Sequence, residues 1–169
     1  ILAGMSEAGS EPPAPYFLGG SIADHATAQR LAGFHKAVED RGGTVAEGHV
    51  IQCGYEAEAA MKAIRALCDE LGELPRGLFV NSFTVFEGVM GHFVKLAPSA
   101  FEQSAIGCFD YDPFAAFLQF PVFMIRQDSY GLIAKAYELL DRDETSPAIH
   151  QVAPQLIGPR TIAVESHAH

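Results

Sequence analysis

Cysteine is scarce in this chain: Cys53, Cys68 and Cys108 are the only three in 169 residues. They are too few and too scattered for a disulfide framework or a C-x-x-C zinc site, and a reducing cytosol is the simplest home for such a protein. Basic side chains are also few. Eleven Lys and Arg stand against twenty-one Asp and Glu, a net charge of −10, so the surface as a whole repels phosphate backbones and anionic membranes. Direct nucleic-acid binding by these residues is not expected. No apolar run approaches the about eighteen residues that a bilayer requires, and no basic-then-apolar signal opens the chain. The seven histidines, His25, His35, His49, His92, His150, His167 and His169, show no H-x-x-x-H spacing, so neither a metal site nor a metal cofactor is expected. His167 and His169 offer at most a weak tail site. Without a G-x-x-x-x-G-K-[ST] segment, a P-loop nucleotide enzyme is excluded as well.

What remains is an ordinary globular composition, 49% hydrophobic and 19% charged, with 16 Gly and 10 Pro spread along the chain. A chain of this length buries roughly 70% of its unfolded surface, enough for one α/β core. Ile1 to Met5 reads as the tail of a helix, which suggests that an upstream part has been removed. After the Pro-rich turn from Ser10 to Pro15, the short run Tyr16-Phe17-Leu18 stops at Gly19-Gly20 and predicts a buried strand. Asp24 can cap a helix on which Ala28, Leu31, Ala32, Phe34 and Val38 share a face until Gly42-Gly43. The pattern repeats with a strand over Val45 to Ile51 and a helix over Ala57 to Leu71. A strand over Leu78 to Val80 and a helix from Thr84 to Leu96 follow, then a strand over Ala105 to Phe109. Val122 to Ile125 is a further strand, Ser129 to Leu140 an amphipathic helix, and Ile149 to Ile157 supplies one or two strands before a fading tail.

Short strands alternating with helices of ten to eighteen residues predict an α/β fold, a parallel sheet with helices on both faces. Ligands in such sheets sit beyond the carboxyl ends of the strands. Those ends are Gly19-Gly20-Ser21, Cys53-Gly54-Tyr55, Asn81-Ser82-Phe83 and Asp110-Tyr111-Asp112.

Each candidate there has a plainer alternative. Arg30 is either a solvated surface arginine or a rigid five-donor fork for sugar hydroxyls or a phosphate. Asp110, directly after a strand, either accepts ligand hydroxyls or forms a turn; Asp112 fits the capping role better, because Pro113 can open a short helix. Tyr55 can stack on a sugar ring and Phe83 can wall the same pocket, or both can be core. Ser82 can donate to a ligand, although capping the next helix is the commoner task. A hydrolase is the enzymatic rival: Gly19-Gly20-Ser21-Ile22-Ala23 nearly matches a G-x-S-x-G elbow, with Asp110 and His150 following in order. Ala23 in place of the last glycine weakens it.

Three stretches carry a family resemblance. Arg30 to Ala37, Leu78 to Phe83 continuing through Gly88-Val89-Met90, and Ile106 to Asp110 with Phe117 to Pro121 and Ile125 to Asp128 resemble, in order and spacing, LacI/GalR-type transcription regulators. Within that family Ser82-Phe83, Tyr55 to Ala60 and Phe117-Leu118-Gln119 are most similar to the fructose-repressor branch. The resemblance implies a periplasmic-binding-protein-like fold whose two lobes close on a sugar or sugar phosphate. It makes this chain the carboxyl-terminal lobe, over residues 1–127. Residues 128–151 would cross to the missing first lobe, and 152–169 would return as a strand and tail. DNA would be bound only by an absent upstream helix-turn-helix segment.

Arg30, Tyr55, Ser82, Asp110 and Gln127 match the family's effector-contacting positions, and Phe83 stands where many members carry Asp. In the fructose-repressor branch the acidic residue falls at the place of Tyr111 instead of Asp110. The resemblance further implies a homodimer packed through the helix from Thr84 to Leu96 and the loop from Pro113 to Pro121. Phe86, Val89, Met90, Phe93, Phe114, Phe117 and Phe120 make that region apolar enough for an interface. The apolar side of the 129–140 helix, Leu132, Ile133, Ala136, Tyr137 and Leu140, should lack cover within this chain. A solute-binding protein for transport shares the fold and stays open as an alternative.

Overall fold

The structure is a computed structural model that describes residues 14–141 and 149–159. Ile1 to Met5, with its expected helix tail, and His167 and His169 lie outside the described residues. Six strands, β1 (Tyr16–Leu18), β2 (Val50–Ile51), β3 (Gly77–Val80), β4 (Ala105–Phe109), β5 (Val122–Arg126) and β6 (Gln155–Ile157), form one sheet in the order β2-β1-β3-β4-β5-β6. The first five run parallel and β6 pairs antiparallel with β5. Four helices accompany them: α1 (His25–Glu39), α2 (Ala57–Leu71), α3 (Phe83–Phe93) and α4 (Ser129–Asp141). The mostly parallel α/β sheet is as expected.

The strand alternation sorts side chains between the two faces. Leu18, Leu78, Val80, Ile106, Cys108, Val122 and Met124 point to one side, where Ala60, Ile64 and Leu67 of α2 and Val85, Phe86, Val89 and Phe93 of α3 complete the main core. Phe17 points the other way, into a smaller cluster with Leu31 and Phe34 of α1, against which Phe79 packs. Phe93 meets Phe101 and Phe120 edge-on at 5.2 and 5.6 Å, and those two rings stack at 4.2 Å. Burying each such ring contributes about 1.5–3 kcal/mol.

Local signals set several boundaries. The Asp24 side chain accepts from Thr27 N–H and starts α1, and Gly72, at φ 74°, ends α2 in the left-handed conformation. Asp112 accepts from Phe114 N–H and opens a short 3₁₀ turn over Pro113–Phe117, its expected capping role.

Three readings need correction. The strand expected over Val45 to Ile51 shrinks to Val50–Ile51, preceded by a 3₁₀ turn over Glu47–His49. β1 offers only Phe17 and Leu18 as partners, and its Tyr16 ring stacks on His49 at 4.1 Å instead. The helix expected to reach Leu96 ends at Phe93; Lys95 N–H and Leu96 N–H donate to His92 and Phe93 carbonyls, a tightened turn before Pro98. Phe86, Val89, Phe93 and Phe120, assigned above to a dimer surface, are buried in this chain's own core. Helix α3 is apolar over most of its surface because it packs on the sheet and also flanks α2, whose Ala57 carbonyl approaches Gly88 so closely that a Cβ there would collide with it. Of that group Met90 is partly buried, whereas Phe114 and Phe117 are exposed, Phe117 by 80%.

Helix α4 has no buried residue, and Leu132, Ile133, Tyr137 and Leu140 are exposed. No helix among the described residues is long and apolar enough to cross a membrane.

Candidate effector crevice

β1 and β3 are neighbours, yet the chain leaves β1 toward β2 and leaves β3 toward β4, on opposite sides. Connections that part in this way open a crevice at the carboxyl ends of the two strands, the usual ligand position in such sheets. Gly19 and Gly20 carry the chain out of β1 with φ of 107° and 69°. Gly20 N–H donates to the Gly54 carbonyl at 2.8 Å, and Gly54 N–H returns the bond at 3.0 Å. This bridge brings the loop after β2, and so Tyr55, against the start of α1. A side chain at Gly20 would strike Thr27 and Asn81, so only glycine allows the approach.

Two polar groups line the crevice. In the first, Arg30 Nη1 donates to the Asn81 carbonyl at 2.7 Å, and the guanidinium lies 3.8 Å from the centre of the Phe109 ring. Its Nη2 is 3.9 Å from Asp110 Oδ1, and Gln127 Nε2 donates to that same oxygen at 2.6 Å. The Arg30 side chain is only 15% exposed and that of Asp110 34%. The solvated-arginine alternative therefore fails: α1 presents Arg30 inward, over the end of β4. Asp110 is the one non-glycine among the described residues with positive φ, at 73°. Asp tolerates this conformation better than most residues, and here it aims the carboxylate back at Arg30 and Gln127.

The second group runs from Tyr55 to Asn81. The Tyr55 hydroxyl donates to Asp24 Oδ2 at 2.6 Å and lies 2.7 Å from Thr27 Oγ1, which itself donates to Asp24 Oδ2 at 2.9 Å. Asn81 Nδ2 donates to Thr27 Oγ1 at 3.1 Å, while the buried Asn81 Oδ1 has no protein partner. The Tyr55 bond, then the Thr27 N–H and hydroxyl, hold the Asp24 carboxyl down at about 2. Asn81 joins the groups, with its side chain in one and its carbonyl in the other.

Of the candidates named from sequence, Arg30, Asp110 and Gln127 converge directly and Tyr55 joins them through Asn81. Ser82 is buried and its Oγ accepts from Val85 N–H at 3.3 Å, so it caps α3. Phe83 is partly buried, its ring 6.3 Å from that of Phe86. The sequence reading did not name Thr27 or Phe109 as site residues, placed Asn81 at a strand end without singling it out, and saw Asp24 only as a cap. Asn81 carried a usable signal, because it follows β3 directly as Asp110 follows β4.

Ser21 Oγ accepts from Ala23 N–H at 3.4 Å, and Asp110 is committed to Arg30 and Gln127, so no Ser-His-Asp relay is assembled among the described residues. Burial pushes the Cys108 thiol far above its ordinary range, against use as a nucleophile. No group of three His, Cys, Asp or Glu able to hold a metal occurs among the described residues. A larger hollow of about 630 Å³ lies between α1 and the β3–β5 face, lined by Gly33, Phe34, Phe79, Phe109, Phe123 and Ile125 among others. Its lining is mainly apolar but includes Gln29, Arg30 and Arg41, so the hollow meets the crevice at Arg30 and Phe109.

No protein-family profile matches the chain. The sucrose operon repressor of Klebsiella pneumoniae is 27% identical over 129 residues, covering 75% of this chain and 38% of that protein. Among solved structures, the Cra transcriptional dual regulator of Pseudomonas putida, in complex with fructose 1-phosphate, superposes with a TM-score of 0.72 at 21% identity, over 92% of this chain and 58% of that one. A sugar-binding LacI-family regulator of Escherichia coli, complexed with phosphate, gives 0.67 at 18% identity over 89% and 55%. The chain thus spans 38% of the curated relative's length and a little over half of each of these solved chains. In sequence this chain is similar to a sucrose operon repressor, and in fold to LacI-family transcription regulators.

Proposed function

We propose that this chain is the effector-sensing lobe of a LacI-type transcription regulator, a repressor that binds a sugar or sugar phosphate. The observation that supports this most is the convergence of Arg30, Asp110 and Gln127 at the carboxyl ends of β4 and β5, beside the Tyr55–Asp24–Thr27–Asn81 network. A guanidinium, a carboxylate and an amide in one crevice can exchange donors and acceptors with several hydroxyls at once, and the partly exposed Tyr55 ring offers a face for a sugar's C–H groups. The activity is linkage without bond breaking: an effector that binds one arrangement of two lobes better shifts the spacing of paired DNA-binding heads.

Residues 1–127 would form the lobe, 128–151 would contribute to a companion lobe, and 152–169 would return. The exposed apolar side of α4 supports this division. A homodimer, DNA contact through a separate segment, and a cytoplasmic location complete the proposal. Phe114, Phe117 and Met90 are the residues of the suggested interface that this chain does not fully bury.

The test is ligand-induced thermal stabilisation of the full-length protein by fructose, fructose 1-phosphate, fructose 1,6-bisphosphate and related sugars. A rise in melting temperature that Arg30→Ala abolishes is expected. No rise with any sugar or sugar phosphate would overturn the reading.

A further inference from the structure

The charges around the crevice bear on which kind of sugar it accepts. In an open α/β sheet a phosphate ordinarily sits on the free N–H groups that begin the helix after a strand. At the start of α1, the helix after β1, that place is taken by the protein itself. The Asp24 carboxylate accepts from Thr27 N–H at 2.9 Å, is lowered further by Ala26 N–H, and is held in place by Tyr55 and Thr27. An incoming phosphate would meet an ionised carboxylate where it needs a donor.

The cation that remains is already opposed. Arg30 faces Asp110 and gives one amino group to the Asn81 carbonyl, with its flat side on Phe109. At the carboxyl ends of the strands, Asp24, Asp110, Asp112 and Asp128 stand against Arg30 and Arg126. Arg126 lies toward β6, donating to Gln155 at 2.7 Å with its guanidinium 5.6 Å from the Tyr111 ring centre.

The crevice atom that is buried without a partner, among the described residues, is an acceptor. Asn81 Oδ1 is buried without a partner, and Asp110 takes both of its contacts on Oδ1. Hydroxyl groups can donate to such atoms, whereas a phosphate dianion has no proton to give.

We propose that this crevice selects an uncharged polyol, a free sugar, and discriminates against its phosphate ester, with Asp24 and Asp110 as the discriminating residues. The proposal rests on the reading of the crevice as an effector site and narrows the ligand class within it.

The experiment is calorimetric titration of the full-length protein with paired probes, D-fructose against D-fructose 1-phosphate and D-ribose against D-ribose 5-phosphate, at low and high NaCl. In each pair that binds, the free sugar is expected to bind at least about tenfold more tightly, with an affinity nearly independent of salt. Asp24→Asn keeps a good capping residue and Asp110→Asn keeps a residue that tolerates positive φ, so both variants should fold. Together they should narrow the gap or reverse it. A phosphate ester that binds more tightly than its parent sugar overturns this proposal and leaves the effector reading standing. Binding by neither member of any pair, in the same protein, overturns both.

Discussion

On one face of the sheet, α2 and α3 lie side by side over an unbroken layer of buried side chains from Leu18 to Met124. On the other, α1 covers Phe17, while Phe109, Phe123 and Ile125 line an open hollow. The same strands supply both faces by simple alternation, so the difference does not come from the sheet. It comes from the number of helices each face receives: α2 and α3 on the first, α1 alone on the second, with α4 buried against neither. A parallel sheet normally has both faces covered, and the open face and the bare side of α4 are the features on which the proposed division into lobes rests. The crevice is built mainly from the less covered side, by Arg30 of α1 over Phe109.

The sharpest way to test this contrast is to remove one aromatic ring from each region. Phe93→Ala, in the stacked cluster with Phe101 and Phe120, should cost about 3–5 kcal/mol in urea unfolding. Tyr137→Ala, at a residue of α4 that is 65% exposed, should cost less than about 0.5 kcal/mol. Equal losses would mean that α4 is buried in solution and that the two regions do not differ.

Two mid-helix glycines make the same comparison on a smaller scale. Gly88 of α3 touches the Ala57 carbonyl at the start of α2, so Gly88→Ala should destabilise by about 1–3 kcal/mol as the helices are forced apart. Gly33 of α1 borders the open hollow and has nothing near its missing Cβ. Gly33→Ala should therefore stabilise by up to about 1 kcal/mol through helix propensity. A loss at Gly33 would show that another segment packs closely over that face.

The parts that could be read from sequence were those governed by neighbours along the chain. Asp24 before a helical face, Gly72 after one, and Ala105 to Phe109 as a short apolar run each carry their own signal, and β1, α1, α2 and β4 formed where those signals lay. The strand at Val45 to Ile51 failed because its length depends on how many residues β1 offers as partners, a fact held elsewhere in the chain. The dimer assignment of Phe86, Val89, Phe93 and Phe120 failed for a related reason. Apolar content shows that a helix is covered, and it does not say whether its own sheet or a second subunit does the covering. In the crevice, Arg30 and Asp110 were visible from their places on a helix and at a strand end. The bond from Asn81 to Thr27 joins residues 54 apart and leaves no local pattern.

The smallest expected effect concerns Asp24, on the crevice side of the comparison. Its carboxyl is lowered from 3.8 to about 2 in the folded protein, first by Tyr55 and then by Thr27. A lowered folded value means that the stabilisation is fully present above the ordinary value and is lost as pH falls through the folded one. The group is exposed, so solvent screens the contribution and it should be modest. Asp24→Asn keeps the cap and removes the titrating charge. The difference in urea midpoint between the wild type and this variant should be constant from neutral pH to about pH 4, then close as pH approaches 2. A difference that persists unchanged at pH 2 would mean that the ionised carboxylate is not held by Tyr55 and Thr27, and Asp24 would lose the fixed charge on which the proposed discrimination rests.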